Sequence, residues 1–189
     1  MTNVTQALSY FHGEPQASAV LKQHEATAIY ADNIKYLSLM SAEEFGCSIE
    51  AYTYPAEFEA CDGSVELGVG VTIGQQPRKK FALVYKTLIG NDVDGQAHGY
   101  KLHIVYNCSA APSERAYGTV NDSPEAITFS WEITTDPVPV AGHNPTSIIT
   151  IDSTKVDPLK LPAIEEKLFG DGTAPAEMMS PADIIAALV

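Results

Sequence analysis

Lys79-Lys-Phe-Ala-Leu-Val-Tyr-Lys-Thr-Leu-Ile-Gly-Asn-Asp-Val-Asp-Gly-Gln-Ala-His-Gly-Tyr-Lys-Leu-His-Ile-Val-Tyr-Asn-Cys108 is the stretch on which the fold turns. Phe81, Leu83, Tyr85, Thr87 and Ile89 recur with period two, and so do Tyr100, Leu102, Ile104 and Tyr106. Alternating aromatic and β-branched residues mark strands. Between the two runs lies Gly90-Asn-Asp-Val-Asp-Gly-Gln-Ala-His-Gly99, rich in residues that accept positive φ. The expectation is a β-hairpin closed by an extended polar loop over residues 90–99. Such a loop is longer than hairpin geometry needs.

Working outward, strands are expected elsewhere too. Phe45 to Tyr54 alternates Cys47, Ile49, Ala51 and Thr53 with Ser48, Glu50, Tyr52 and Tyr54, a strand with one buried and one wet face. Ala126 to Thr135 places Ile127, Phe129, Trp131 and Ile133 on one side, and each such side chain buried contributes roughly 1.5–3 kcal/mol before entropy. Thr146 to Asp152 is a further strand, Val65 to Gly74 one with bends or bulges, and Ile29 to Leu39 a short strand with its lead-in. Asp136 to Pro145 is a stiff linker, and Ala110 to Pro124 is mostly loop, with a short strand near Tyr117 to Val120.

Helices are expected to be few and short. Ser41-Ala-Glu-Glu44 has the form of a capping box, but Gly46 follows at once. Tyr54 to Gly63 carries Pro55 at its start, Glu57 in the first turn and Gly63 as a stop. Leu161, Ile164 and Leu168 have helical spacing and Gly170 ends it, although Pro162 argues against a regular helix through that point. Ser180-Pro-Ala-Asp183 opens a terminal helix with Ile184, Ile185 and Leu188 as its apolar face. The expected organisation is an N-terminal arm over 1–27, with short structure only around Ser18 to Gln23. A β-rich core over 28–156 and a C-terminal helical extension over 157–189 follow. The fold class is mainly β, sandwich- or barrel-like, with a flanking short helix and C-terminal helical elements.

Composition narrows the function. A chain of 189 residues can bury roughly 70% of its unfolded surface, so no disulfide or metal staple is needed. The formal net charge of -13 repels phosphate at range and argues against tight nucleic-acid binding. Cys47, Cys61 and Cys108 are odd in number and lack metal spacing. Cys47 and Cys108, in strand-like runs, are expected to be small buried hydrophobes. No apolar run reaches the roughly 20 residues of a membrane span, and the N-terminus lacks a secretory pattern. A cytoplasmic site of synthesis is therefore expected. The glycosylation triplets at Asn3, Asn107 and Asn121 are then chance matches.

No constellation for catalysis stands out, and the chain is expected not to be an enzyme. Asn91-Asp-Val-Asp-Gly95 falls short of a calcium loop: counted from Asp92, its glycine comes too early and no Glu closes the twelfth position. His12, His24, His98, His103 and His143 have no ligand spacing, and Gly68-Val-Gly70 lacks the helix and third glycine of a dinucleotide site. No catalytic, cofactor-binding or metal-ligating residue and no cofactor is expected. The basic run Gln75-Gln-Pro-Arg-Lys-Lys80 reads first as a solvated turn and second as a binding patch.

A series of segments resembles the major tail proteins of long-tailed phages of Gram-positive hosts. They are Tyr30 to Tyr36, Ser41 to Gly46, Ile49 to Pro55, Ile73 to Gln76, Ile89 to Asp92 with Asp94-Gly95, Gly99 to His103 and Asn121 to Glu132. The likeness spans most of residues 28–170 and rests on the ordered series. It implies a virion subunit with a β-sandwich-like core that forms hexameric rings, stacked into a hollow tail tube through which DNA passes. The implied partners are copies of the chain and the tape measure, tail terminator and distal tail proteins. No membrane is involved, and assembly takes place in the host cytoplasm. Acidic side chains would keep DNA from adhering to the lumen. Residues 90–99 and the termini are expected to make ring-to-ring contacts. The rival expectations are a virion or cell-surface β-sandwich binding carbohydrate or a receptor through loops with exposed aromatics, and a hydrolase with a dispersed site.

Overall fold

The computed structural model describes residues 16–22, 27–31, 34–39, 44–93, 95–111, 128–170 and 174–188. Side chains are described for residues 45–93, 98–111, 128–170 and 174–188. In chain order the strands are β1 Gln16–Lys22, β2 Thr27–Ala31, β3 Ile34–Leu39, β4 Glu44–Ala51, β5 Val65–Gly68, β6 Val71–Ile73, β7 Phe81–Asn91, β8 Gly95–Ala110, β9 Phe129–Thr135 and β10 Ile148–Asp152. The helices are α1 Glu59–Asp62, entered through a 3-10 turn over Ala56–Phe58, α2 Leu161–Phe169 and α3 Pro181–Leu188.

β7 and β8 form the expected hairpin, but its strands run further than the sequence predicts. Asn91 pairs with Gly95 and Ile89 with Gly99, so residues 92–94 replace the expected extended loop over 90–99. Asn91 closes the turn locally: its Oδ1 accepts the Val93 amide at 3.1 Å, and its Nδ2 lies 2.8 Å from His98 Nδ1. A ribbon that projects beyond the core is solvated on both faces. Period-two hydrophobicity therefore fades there while the ladder continues.

β8 organises the main sheet, whose strand order is β1-β4-β9-β8-β10, with β7 also paired to β8. All of these pairs are antiparallel. On the side of β8 away from β7, β10 runs beside Lys101–Val105 and β9 beside Cys108–Ala110. The chain leaves the sheet between β9 and β10 through Pro137, Pro139 and Pro145, where prolines cannot donate ladder bonds. A bulge sets the faces of β8. Asn107 has φ of 49°, and the register against β7 shifts between Phe81 and Leu83. Val105 and Cys108 consequently join one core, whereas Leu102, Ile104 and Tyr106 join the other.

The sheet is the middle layer. On one face Phe45, Cys47 and Ile49 of β4 pack with Phe81, Leu83, Val105, Cys108, Trp131 and Ile133, beneath Phe58 and Cys61 of the turn and α1. On the other face Val84, Leu102, Ile104, Tyr106 and Ile151 pack under Leu161, Ile164 and Leu168 of α2, under Met179 just before α3, and under Ile184 of α3. β7 therefore buries Leu83 and Val84 on opposite faces, which a one-sided alternation does not anticipate. Two smaller hairpins, β2-β3 and β5-β6, are separate two-stranded sheets. The architecture is mainly β and antiparallel, and among the described residues the main sheet is open at β1, β7 and β10.

Several expectations change. Residues 16–22, read as part of an arm with short structure around Ser18 to Gln23, are a strand that pairs with β4 from Gln16↔Glu50 to Lys22↔Glu44. The lead-in to β3 is itself a strand, β2. Thr53 is exposed and Tyr54 turns inward, because β4 ends at Ala51 and the chain bends into Pro55. Val65 to Gly74 is a hairpin of two short strands instead of one strand. Pro162 does not block a helix: α2 starts beside it, in the first turn, where no intrahelical N–H is required. Ile127, residues 41–43 of the capping box and the expected short strand at Tyr117 to Val120 lie outside the described residues.

The helix stops and starts follow the expected chemistry. Gly63 ends α1 in the left-handed region at φ of 84°. Ser180 and Asp183 cap α3 reciprocally: Ser180 Oγ accepts the Asp183 amide and Asp183 Oδ2 accepts the Ser180 amide, both at 3.2 Å.

Candidate functional site

The expectation named no site residues, so the search starts from the chemically capable groups. The three cysteines are buried and free. Burial pushes the Cys47 and Cys61 thiols up to about 11 and Cys108 higher still, so all three stay protonated at neutral pH. No group of three or more His, Cys, Asp or Glu able to hold a metal occurs among the described residues. His103 stacks on Tyr85 at 4.7 Å, with its ring nitrogens 2.9 Å from Thr87 Oγ1 and 3.1 Å from Thr150 Oγ1. Burial, with Lys101 adding to it, lowers its pKa, so the ring is neutral at pH 7 and tied into the sheet.

Two polar clusters fasten the layers together. Trp131 Nε1 donates to Asp62 Oδ1 at 2.9 Å, both residues being buried, and so joins β9 to α1. Around that bond Tyr54, Phe58 and Phe129 pack edge-on or stacked against the indole. On the opposite face Tyr100 Oη donates to Glu165 Oε1 at 2.5 Å, and Lys86 Nζ lies 2.8 Å from Glu165 Oε2. Lys86 also sits over the Tyr100 ring at 4.7 Å and the Phe169 ring at 5.3 Å. The hydrogen bond to Glu165, burial and the carboxylate charge push the Tyr100 phenol up to about 12. These groups hold helices to the sheet.

What distinguishes the surface is apolar. Val65, Leu67, Val69 and Val71 of the β5-β6 hairpin are exposed, Val69 completely. They alternate with Glu66, Gly68, Gly70 and Thr72, and the hairpin, read from sequence as a strand with bends or bulges, covers no core. Leu88 and Val93, towards the β7-β8 tip, are exposed apolar residues as well. The expected basic run follows β6. Arg78, Lys79 and Lys80 are exposed, Arg78 Nη1 donates to the Ala110 carbonyl at 2.6 Å, and Lys80 pairs with Asp136. Two of these three cations therefore anchor the segment to the body, which neither the solvated-turn nor the binding reading anticipated. The segment of calcium-loop type at Asn91 is occupied with its own turn.

No protein-family model matches the chain, and comparison with curated proteins finds no match.

Proposed function

We propose that the chain is a structural subunit that works by assembling with copies of itself, as a tail tube protein of a long-tailed phage. In this reading the open sheet joins neighbouring sheets edge to edge, and the closed, sandwich- or barrel-like wall belongs to a hexameric ring instead of to one chain. Rings then stack into a hollow tube in the virion, through which DNA passes without binding. The partners are further copies and the other tail proteins.

One observation supports the reading beyond the resemblance. β1, β7 and β10 end the main sheet with no strand on their outer sides among the described residues, and β7 is 11 residues long. Long unpaired edges are templates for pairing with another chain, and monomeric proteins blunt them. The net charge of -13 suits a bore past which phosphate must slide. The loop-binding alternative calls for exposed aromatic clusters, but Tyr52 is the one exposed aromatic side chain among the described residues.

Negative-stain microscopy and sedimentation velocity of the full-length protein over a concentration series test the reading. Rings and hollow tubes are expected above a threshold concentration. A monodisperse monomer at every concentration, or a compact dimer that grows no further, would falsify it.

A further inference from the structure

The β5-β6 hairpin is hard to explain within one chain. Its strands have four and three residues, and an isolated hairpin of that size is marginal in water. Val65, Leu67, Val69 and Val71 face solvent, and a Cβ built at Gly68, Gly70 or Gly74 would meet nothing within 4 Å. Yet its root is firmly held. Gln76 N donates to the Gly63 carbonyl at 2.9 Å, Lys79 N to the Ala60 carbonyl at 3.0 Å, and Arg78 to Ala110. An apolar arm on a fixed root is pre-organised for an interface.

A matching surface exists on the same chain but out of its reach. Leu88 and Val93 are exposed at the β7-β8 tip beside exposed Asp92, with Asp94 next in sequence. The root of the hairpin precedes the first residue of β7, and the tip follows its last. The rise per residue puts those two ends about 33 Å apart. The signs are complementary: Arg78, which keeps its charge while bonded to the Ala110 carbonyl, Lys79, and Lys80, offset in part by Asp136, gather at the root of a chain with only 11 basic residues, whereas the turn carries Asp92 and Asp94.

Resting on the reading above, we infer that the β5-β6 hairpin of one copy docks on the β7-β8 tip of a second copy, apolar side to apolar side, with the basic root beside the acidic turn. The contact is heterologous, since the two patches differ, so each copy keeps one free donor and one free acceptor and growth continues. Charge complementarity sets the orientation, and the apolar residues supply the affinity.

Cross-linking of full-length variants tests the contact. Val69→Cys and Val93→Cys proteins are mixed and treated with a short bis-maleimide; the native thiols are buried and give no background. The mixture is expected to yield covalent dimer about tenfold above either variant alone, and the double variant a ladder of higher oligomers. Equal yields, or none, overturn the docking. As a second measurement, Leu67→Asp with Val69→Asp should raise the concentration needed for self-association about tenfold while circular dichroism stays unchanged, because both side chains are already in water. An unchanged threshold also overturns it. Tubes without cross-links sink the docking and leave the tube reading standing. Cross-linked chains that never form rings or tubes support the docking and sink the tube reading.

Discussion

Asp62 is a buried carboxylate whose Oδ1 accepts a hydrogen bond from the indole N–H of Trp131, 69 residues later in the chain. Burying a polar group is tolerated when a partner meets it, and removing one partner leaves the other desolvated. Asp62→Ala should therefore destabilise the protein by about 1–3 kcal/mol. Asp62→Asn should cost less, because the amide oxygen can still accept the bond. Urea unfolding followed by Trp131 fluorescence measures both, and equal losses for the two variants would show that charge, not acceptance, matters at this position. Trp131 was legible in the sequence as an inward strand residue, since Phe129, Trp131 and Ile133 alternate with Ser130 and Glu132. Asp62 was legible as part of a short helix. Their bond was not, because periodicity says which face a residue lies on and nothing about which distant element covers that face. Tyr54 shows the same limit: the bend at Pro55 reverses its side, and its ring ends 5.4 Å from the indole of Trp131.

The α2 helix meets the sheet through Tyr100, Glu165 and Lys86, and this contact has a pH signature. The Tyr100 phenol is raised from its usual value near 10 to about 12 by its bond to Glu165, then by burial. A raised folded-state value favours the neutral phenol, so its contribution is complete below pH 10 and lost as the pH climbs towards 12. The Cys47 and Cys61 thiols, raised to about 11, act with the same sign from about pH 9 upward. Wild type should lose stability throughout this range. Its advantage over Tyr100→Phe should hold up to about pH 10 and vanish near pH 12. Thermal melts of both proteins at stepped pH check this, and a gap that does not narrow with pH contradicts the assignment. At this scale strands covered on one or two faces were legible wherever apolar residues recur at period two, as in β4, β9 and β10. The end of the β7-β8 ribbon, residues 90–91 and 95–99, was not, because water on both faces erases the pattern. β1 was legible only as short structure around Ser18 to Gln23, since Gln16–Lys22 owes its pairing to β4 and carries little signal of its own. Pro162 misled because a proline forbids a helix interior but suits a first turn.

A whole subunit carries -13, so assembly of copies has to overcome self-repulsion. The proposed attraction between Arg78 to Lys80 and the acidic turn is local, involving a few charges at short range. Repulsion scales with the product of the net charges and involves the entire surfaces. Exposed charges interact across about 10 Å at 0.1 M salt but only about 3 Å at 1 M. Salt screens both effects, and the larger one loses more. Raising the salt from about 0.05 to 0.5 M should therefore lower the protein concentration at which tubes appear. Lowering the pH towards the isoelectric point near 4.6 should act the same way, because protonating carboxylates removes the repulsion directly. The apolar residues Val65, Leu67, Val69 and Val71 are indifferent to both changes, so the contact they make persists as the repulsion fades. Light scattering over a salt series, with microscopy to distinguish tubes from amorphous precipitate, reads the sign. If added salt instead dissolves the assemblies, specific ion pairs and not apolar docking hold the copies together, and the hairpin's role shrinks to that of Arg78, Lys79 and Lys80 at its root.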